Sequence, residues 1–284
     1  MERKIKFTKM HGLGNDFLLV EEDHVRNENL GQLATIMCNR RTGVGADGLL
    51  VLGASSEPRA VSMRIFNPDG SESSMCGNGI RCVAHYAYGR GICRYREFAV
   101  HTLAGRMQIS LRLVSDDVVG VSIDMGVPVL NTNDIPAQLA LENLPPFSIE
   151  YAGSSWNGHA LRVSVPHAVI FLDTLDQVNV AEVGAFIERH AFFPEGINVN
   201  FAQHIGKDRV RLHTWERGAG LVLACGSGAC ATVVAANELS LTGPQVTVEV
   251  ALGELLIERS SDGRILMTGP ARYVFDGNFH LMGE

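Results

Sequence analysis

The sequence predicts an α+β (α/β-type) fold built as two halves of the same design, strand-rich and with one prominent helix after each cysteine loop. Three observations carry that prediction. Short alternating or β-branched runs outnumber helix-period runs. A Cys-Gly-x-Gly sequence occurs twice, at Cys76 and at Cys225, each time before an apolar, helix-length run. The landmarks around the two copies recur in the same order. A chain of 284 residues has room for two ordinary domains with cores of their own.

In chain order, Lys4–Lys9, Phe17–Glu21, Leu49–Leu52 and Val61–Phe66 alternate or are rich in apolar β-formers, and are expected as strands. Glu97–Leu103, Met107–Leu113 and Val118–Asp124 follow the same pattern. Helices are expected at Leu30–Cys38, Ile80–Tyr88, Val180–Arg189 and Ala229–Glu238, where apolar residues recur at helical spacing. The Pro-rich stretch Asn143-Leu144-Pro145-Pro146 reads as a loop inside the second half. Gly43-Val44-Gly45-Ala46-Asp47-Gly48 fits a Gly-x-Gly-x-x-Gly pattern, but it follows a helix and lacks a βαβ setting. A dinucleotide site is not expected there.

The repeat extends well beyond the cysteines. Asn67 and Glu216 each lie nine residues before their cysteine, after a strand-like run and before a Gly-containing turn. Gly48 lies 28 residues before Cys76, and Asn198 lies 27 before Cys225. Asn15 and Val165 stand 61 and 60 residues before theirs. Downstream, Gly105 is 23 residues after Cys82 and Gly253 is 23 after Cys230. The expected halves are 1–126 and 127–271, with the terminal 272–284 returning to the first half as a strand.

Composition narrows the function. The formal charge of −7 and pI near 5.8 argue against nucleic-acid and anionic-membrane partners, which call for basic surfaces. Mean hydropathy is +0.09 and no apolar run approaches the roughly 18 residues of a membrane helix. The start, Met1-Glu2-Arg3-Lys4-Ile5-Lys6, has no secretory-signal pattern, so a cytoplasmic location is expected. The six cysteines are then expected as free thiols. The spacings Cys76-x5-Cys82 and Cys225-x4-Cys230 do not suit structural zinc, so no metal is expected.

A thiol placed before Gly-x-Gly at a helix start has chemical consequences. Glycines admit a ligand close to the backbone, and the first free N–H groups form an anion site. The helix dipole favours the thiolate over a thiol of ordinary pKa near 8.5. Two such loops suit inversion at the α-carbon of an amino acid, which needs a base on one face and an acid on the other. The developing carbanion needs electrostatic support, which helix ends can give. Pyridoxal phosphate is the common alternative. The chain's lysines are Lys4, Lys6, Lys9 and Lys207, none in a Gly/Ser phosphate-binding context, so no cofactor is expected.

Across essentially its whole length, the chain resembles the diaminopimelate epimerase family. The motifs that carry the resemblance are Lys9-Met10-His11-Gly12-Leu13-Gly14-Asn15-Asp16-Phe17, Arg64-Ile65-Phe66-Asn67-Pro68-Asp69-Gly70-Ser71-Glu72 and Cys76-Gly77-Asn78-Gly79-Ile80-Arg81-Cys82. The second half adds Phe193-Pro194-Glu195-Gly196-Ile197-Asn198, Glu216-Arg217-Gly218-Ala219-Gly220 and Ala224-Cys225-Gly226-Ser227-Gly228-Ala229-Cys230. The resemblance implies two structurally similar α/β domains, each a mixed β-sheet wrapped around a central helix, with cofactor-independent interconversion of LL- and meso-diaminopimelate in the cleft between them. It implies Cys76 and Cys225 as the acid/base pair, with His167 and Glu216 setting their protonation. Asn15, Asn67, Asn198 and Arg217 would bind the substrate's amino and distal carboxylate groups. Gly77, Asn78, Gly226 and Ser227 would cradle the carboxylate at the reacting centre. A small-molecule amino-acid substrate and a homodimer are further implications. Departures from the family pattern fall at Val165, where an amide is usual, at Leu221-Val222, where Glu-Thr is usual, and at Gly48.

Overall fold

The computed structural model describes residues 3–131, 133, 135–140 and 142–281. The chain divides into two compact units, Met1–Ile123 with Gly269–Glu284, and Asp124–Thr268.

The first unit opens with β1 (Arg3–Gly12), β2 (Asn15–Glu21), α1 (Leu30–Cys38), β3 (Gly48–Ala54) and β4 (Ala60–Phe66). It continues with β5 (Glu72–Ser73), α2 (Gly77–Gly89), β6 (Glu97–Thr102), β7 (Gly105–Val114) and β8 (Asp117–Asp124). β2 pairs antiparallel with β1 and parallel with β3. β4 pairs antiparallel with β3 and β5 and parallel with β6, and β6, β7 and β8 form a meander.

The second unit holds β9 (Pro146–Tyr151), β10 (Ser154–Val163), β11 (Val165–Phe171), α3 (Val180–Glu188), β12 (Asn198–Gly206) and β13 (Arg209–Glu216). β14 (Gly220–Val222), α4 (Gly226–Glu238), β15 (Gln245–Val250), β16 (Gly253–Arg259) and β17 (Ile265–Gly269) complete it. Its pairings repeat those of the first unit. β11 pairs antiparallel with β10 and parallel with β12. β13 pairs antiparallel with β12 and β14 and parallel with β15, and β15–β16–β17 is a meander. The last strand, β18 (Arg272–Leu281), pairs antiparallel with β1, from Arg3↔Leu281 to His11↔Arg272. It flanks β1 as β9 flanks β10 in the second unit. Residues 282–284 of the expected returning strand lie outside the described residues.

α2 and α4 are each the central helix of their unit. Ile80, Cys82, Val83, Ala84 and Ala87 of α2 are fully buried, as are Ala229 to Ala236 of α4. A helix apolar all round belongs inside a core rather than on a surface. β3 is buried on both faces from Gly48 to Gly53, as expected for a strand with a parallel neighbour and helices packed against it. The helix beginnings are capped. Asn29 Oδ1 accepts from Gln32 N at 3.1 Å for α1, and Asn179 Oδ1 from Glu182 N at 3.3 Å for α3.

The structure differs from the sequence reading at several boundaries. α2 begins at Gly77 rather than Ile80, and α4 at Gly226 rather than Ala229. In both the cysteine itself is the N-cap, which draws the glycines into the first turn. Pro146, read as loop, begins β9. β9 pairs with β10 alone, and an edge strand tolerates a residue without an N–H. The β9–β10 turn, Ala152-Gly153, has φ of 52° and 76°, the left-handed pair of a tight hairpin. Among the described residues no helix is long and apolar enough to cross a membrane.

Candidate active site

The first cysteine loop follows β5. Cys76 has extended backbone (φ −146°, ψ 116°) and its Sγ accepts from Gly79 N at 3.5 Å, closing the first turn of α2. Cysteine is an uncommon cap, since Ser, Thr, Asp and Asn offer better acceptors. Its use here leaves the sulfur at the positive end of a helix. The thiol donates to Asn15 Oδ1 at 3.7 Å, and Asn78 Nδ2 donates to the same oxygen at 3.0 Å. Asn15 Nδ2 donates in turn to Asp47 Oδ2 at 2.9 Å. Beneath Asn78 lies Arg81, fully buried, whose Nη2 donates to Asn78 Oδ1 at 2.7 Å and whose Nε donates to Pro270 O at 3.1 Å.

An ionic cluster anchors Asn15 from behind. Arg40 bridges Asp16 at 2.6 Å and Asp47 at 2.8 Å, and Lys9 lies 2.6 Å from Asp16 while also bonding the Gly45 carbonyl. Burial pushes the Asp16 carboxyl up, but hydrogen bonds from Arg40 and Lys9 outweigh it and hold the pKa at about 2. The glycine-rich segment 43–48 is thus the backing of Asn15. Asn67, just after β4, is held by the next turn, with Nδ2 donating to Ser71 Oγ at 2.9 Å.

The second loop repeats the cap. Cys225 (φ −119°, ψ 111°) accepts from Gly228 N at 3.3 Å, and Ser227 Oγ lies 3.6 Å from its sulfur. Cys225 is only 4% exposed, more enclosed than Cys76. Its thiol donates to the Glu216 carboxylate at the end of β13. Burial pushes Cys225 well above the ordinary thiol range, and the Glu216 charge and hydrogen bond push it further. Ser227 and the Gly228 N–H pull the other way. Burial also pushes the Glu216 carboxyl up, against the Cys225 hydrogen bond.

Asn198 opens β12, and its Oδ1 accepts from Arg217 N at 2.8 Å. Arg217 Nη1 donates to Glu195 O at 2.6 Å. These two expected binding residues therefore sit together. His167, in β11, is fully buried, and burial drives its pKa down to about 3 against a weaker opposing pull from the Val163 carbonyl. Its Nδ1 lies 3.1 Å from Asn200 Nδ2. A Cβ on Gly228 would collide with Asn200 Oδ1, so this histidine network packs directly under the Cys225 loop.

Within the first unit, then, Asn15, Cys76, Gly77 and Asn78 converge, while Asn67 bonds its own turn. Within the second, Glu216, Cys225, Gly226 and Ser227 converge, Asn198 and Arg217 pair, and His167 lies beneath. Sequence reading missed Asp47, Asn200 and Thr214, and placed Arg81 only as a motif member. The sequence signal for Asn200 is slight: an amide two residues after Asn198, on the same strand face. Among the described residues no group of three or more His, Cys, Asp or Glu side chains could hold a metal ion.

Comparison with known proteins gives concordant matches. The model of the family described as Diaminopimelate epimerase matches residues 7–131 and 159–274. A diaminopimelate epimerase of Alkaliphilus metalliredigens (strain QYMF) is 43% identical over 275 residues, covering 96% of this chain and 97% of its own. One from Moorella thermoacetica is 44% identical over 278 residues, covering 97% and 99%. Among solved structures, a Bacillus anthracis phenazine biosynthesis protein of the PhzF family aligns with TM-score 0.68 at 14% identity, covering 97% of this chain and 99% of that one. A hydroxyproline epimerase from Agrobacterium vitis, with bound trans-4-OH-L-proline, aligns with TM-score 0.67 at 15% identity, covering 98% and 93%. At such identities the structural likeness speaks to the two-domain fold alone.

Proposed function

The chain belongs to the diaminopimelate epimerase family, and from that premise we propose that it interconverts LL- and meso-diaminopimelate through two cysteines, without a cofactor. The observation that carries the reading is the repeated cap: each cysteine is the N-cap of its unit's central helix, with Sγ accepting from the third residue on. That placement gives each sulfur a helix N-terminus and gives a substrate carboxylate free N–H groups at Gly77-Asn78 and Gly226-Ser227.

In this reading one cysteine, as thiolate, takes the α-proton while the other, as thiol, delivers a proton to the opposite face. Turnover leaves the two thiols with exchanged protonation, ready for the reverse direction. Glu216 governs the proton of Cys225, and His167 supports the thiol chemistry from below. Asn15, Asn67, Asn198 and Arg217 hold the amino and distal carboxylate groups. The enzyme would act in the cytoplasm as a homodimer and serve lysine and cell-wall synthesis. The exposed apolar residues Tyr273, Val274 and Phe275 of β18 suit such an interface.

A second reading, the same chemistry on another amino acid, is favoured by Val165, an apolar side chain 37% exposed at the start of β11. Reduced protein in heavy water without added cofactor separates the two. Deuterium at the α-carbon of LL-diaminopimelate, with the meso isomer appearing, is the expected result. Exchange on a different amino acid instead would establish the second reading. Folded, reduced protein that exchanges no α-proton on any substrate would contradict both.

A further inference from the structure

We infer that Asn200 is a positioning residue that fixes the proton of His167 on Nε2 and leaves Nδ1 as an acceptor. The orientation of the Asn200 amide follows from its partners. Thr214 Oγ1 donates to Asn200 Oδ1 at 3.0 Å, and Asn200 Nδ2 donates to the Ala168 carbonyl at 3.1 Å. A backbone carbonyl only accepts, so the amide nitrogen must face it. The second N–H of that nitrogen points at His167 Nδ1, 3.1 Å away. Nδ1 therefore accepts, and the ring proton sits on Nε2. Nε2 is itself buried and forms no hydrogen bond of ordinary geometry among the described residues, the Val163 carbonyl being the acceptor that pulls on the ring. His167 is thus held as an N–H donor through Nε2.

The duplicated fold supplies an internal control. By strand pairing, His167 opposite Asn198 corresponds to Phe17 opposite Gly48, and Asn200 opposite Thr214 corresponds to Leu50 opposite Ile65. The glycine packed on this site is Gly79 against Leu50 in the first unit, and Gly228 against Asn200 in the second. The first unit thus builds the same strands and the same helix start over Phe17, Leu50 and Ile65, all buried and apolar. The fold does not require polar residues here. A buried His–Asn–Thr network at the same three places serves something other than folding, and its place under the Cys225 loop ties it to the site.

This inference rests on the reading of His167 as a site residue, and the test separates the two. Histidine-selective 15N labelling of the reduced, full-length protein reports which ring nitrogen carries the proton. The His167 signals are those absent from His167→Gln. A protonated Nε2 and unprotonated Nδ1 near neutral pH are expected; the opposite tautomer, or an exchanging mixture, would overturn the inference. Asn200→Ala should release the tautomer and lower kcat/KM by about 10- to 100-fold, the scale found for partners that orient metal-ligating histidines. An unchanged tautomer in Asn200→Ala would also overturn it. Should that variant not fold, Thr214→Val frees the amide and should weaken the tautomer preference, and an unmoved spectrum there counts against the inference. Full activity in His167→Gln would instead remove His167 from the site while leaving the tautomer result standing.

Discussion

Cys76 and Cys225 cap equivalent helices in equivalent ways, yet their surroundings carry opposite charge. Under Cys76 the buried Arg81 guanidinium is relayed through Asn78 to the amide that meets the thiol. The second loop has Cys230 where Arg81 would fall, five residues on from the capping cysteine. Beside Cys225 stands the Glu216 carboxylate, at the position that Asn67 holds in the first unit. One scaffold thus presents two thiols of different character: one more accessible and backed by a cation, one enclosed and kept protonated by burial and an acid. A reaction needing a base and an acid at once gains from starting with its two sulfurs unlike.

The strongest way to break this comparison is to make the second unit like the first. The triple variant H167F/N200L/T214I installs Phe17, Leu50 and Ile65 at their counterparts. It should fold with unchanged or higher Tm, because it removes a buried donor without a well-formed hydrogen bond, a cost of about 1–3 kcal/mol. Its kcat/KM should fall about 10-fold or more, on the scale of lost orientation around a metal-ligating histidine. Calorimetry and a coupled assay read both. A variant that unfolds would show that the polar network is structural after all.

Next in size is the glycine that each network packs against. Gly228→Ala drives a methyl into Asn200 Oδ1, part of a side-chain amide tied by three hydrogen bonds, and should cost about 1–3 kcal/mol in denaturant unfolding. Gly79→Ala meets a Leu50 methyl at 3.0 Å, which can rotate away, and should cost less. Equal costs would mean that the two floors are equally rigid.

Glu216→Gln sharpens the electrostatic contrast. Glu216 pushes the Cys225 thiol up, so its removal should let Cys225 ionise at lower pH. The pH profile of Cys225 alkylation, read by mass spectrometry, should move to lower pH while that of Cys76 stays put. An unmoved Cys225 profile would leave burial as the whole cause.

The smallest effect is expected behind Asn15. Asp16 is depressed from 3.8 to about 2, so the stability it contributes is present above its unfolded value and is lost as pH falls from about 4 through 2. Its side chain is 17% exposed, and allowing for solvent screening the contribution is about 1–2 kcal/mol. Asp16→Asn should flatten the acid limb of the stability curve; an unchanged limb would assign acid sensitivity elsewhere.

The cysteines and their glycines were legible in the sequence because the motif is local and occurs twice, with anchors in register. The central helices were legible for the same reason, although their starts were misplaced by three residues because cysteine was not expected as a cap. Glu216 was legible by its spacing from Cys225. Asn200 was not, because a strand buried on both faces shows no alternation to mark one amide as special. Asp47 was hidden in a glycine-rich pattern that was weighed only as a dinucleotide motif and set aside. Arg81 looked like a helix residue, and only the fold puts its charge beneath Asn78. The β9–β10 hairpin was hidden by Pro145-Pro146 and by an Ala-Gly turn in place of the commoner Asn-Gly.

The central claim is that the two thiols serve opposite faces of one α-carbon, and the isomer dependence of exchange tests it most directly. Cys76→Ala and Cys225→Ala, each folded and reduced, would be given LL- and meso-diaminopimelate separately in heavy water. The account predicts that epimerisation falls by about 10²- to 10⁴-fold in both, the range for a lost acid or base. Any residual α-exchange should favour one isomer in the first variant and the other isomer in the second. Undiminished epimerisation in either variant, or residual exchange on the same isomer in both, would contradict it.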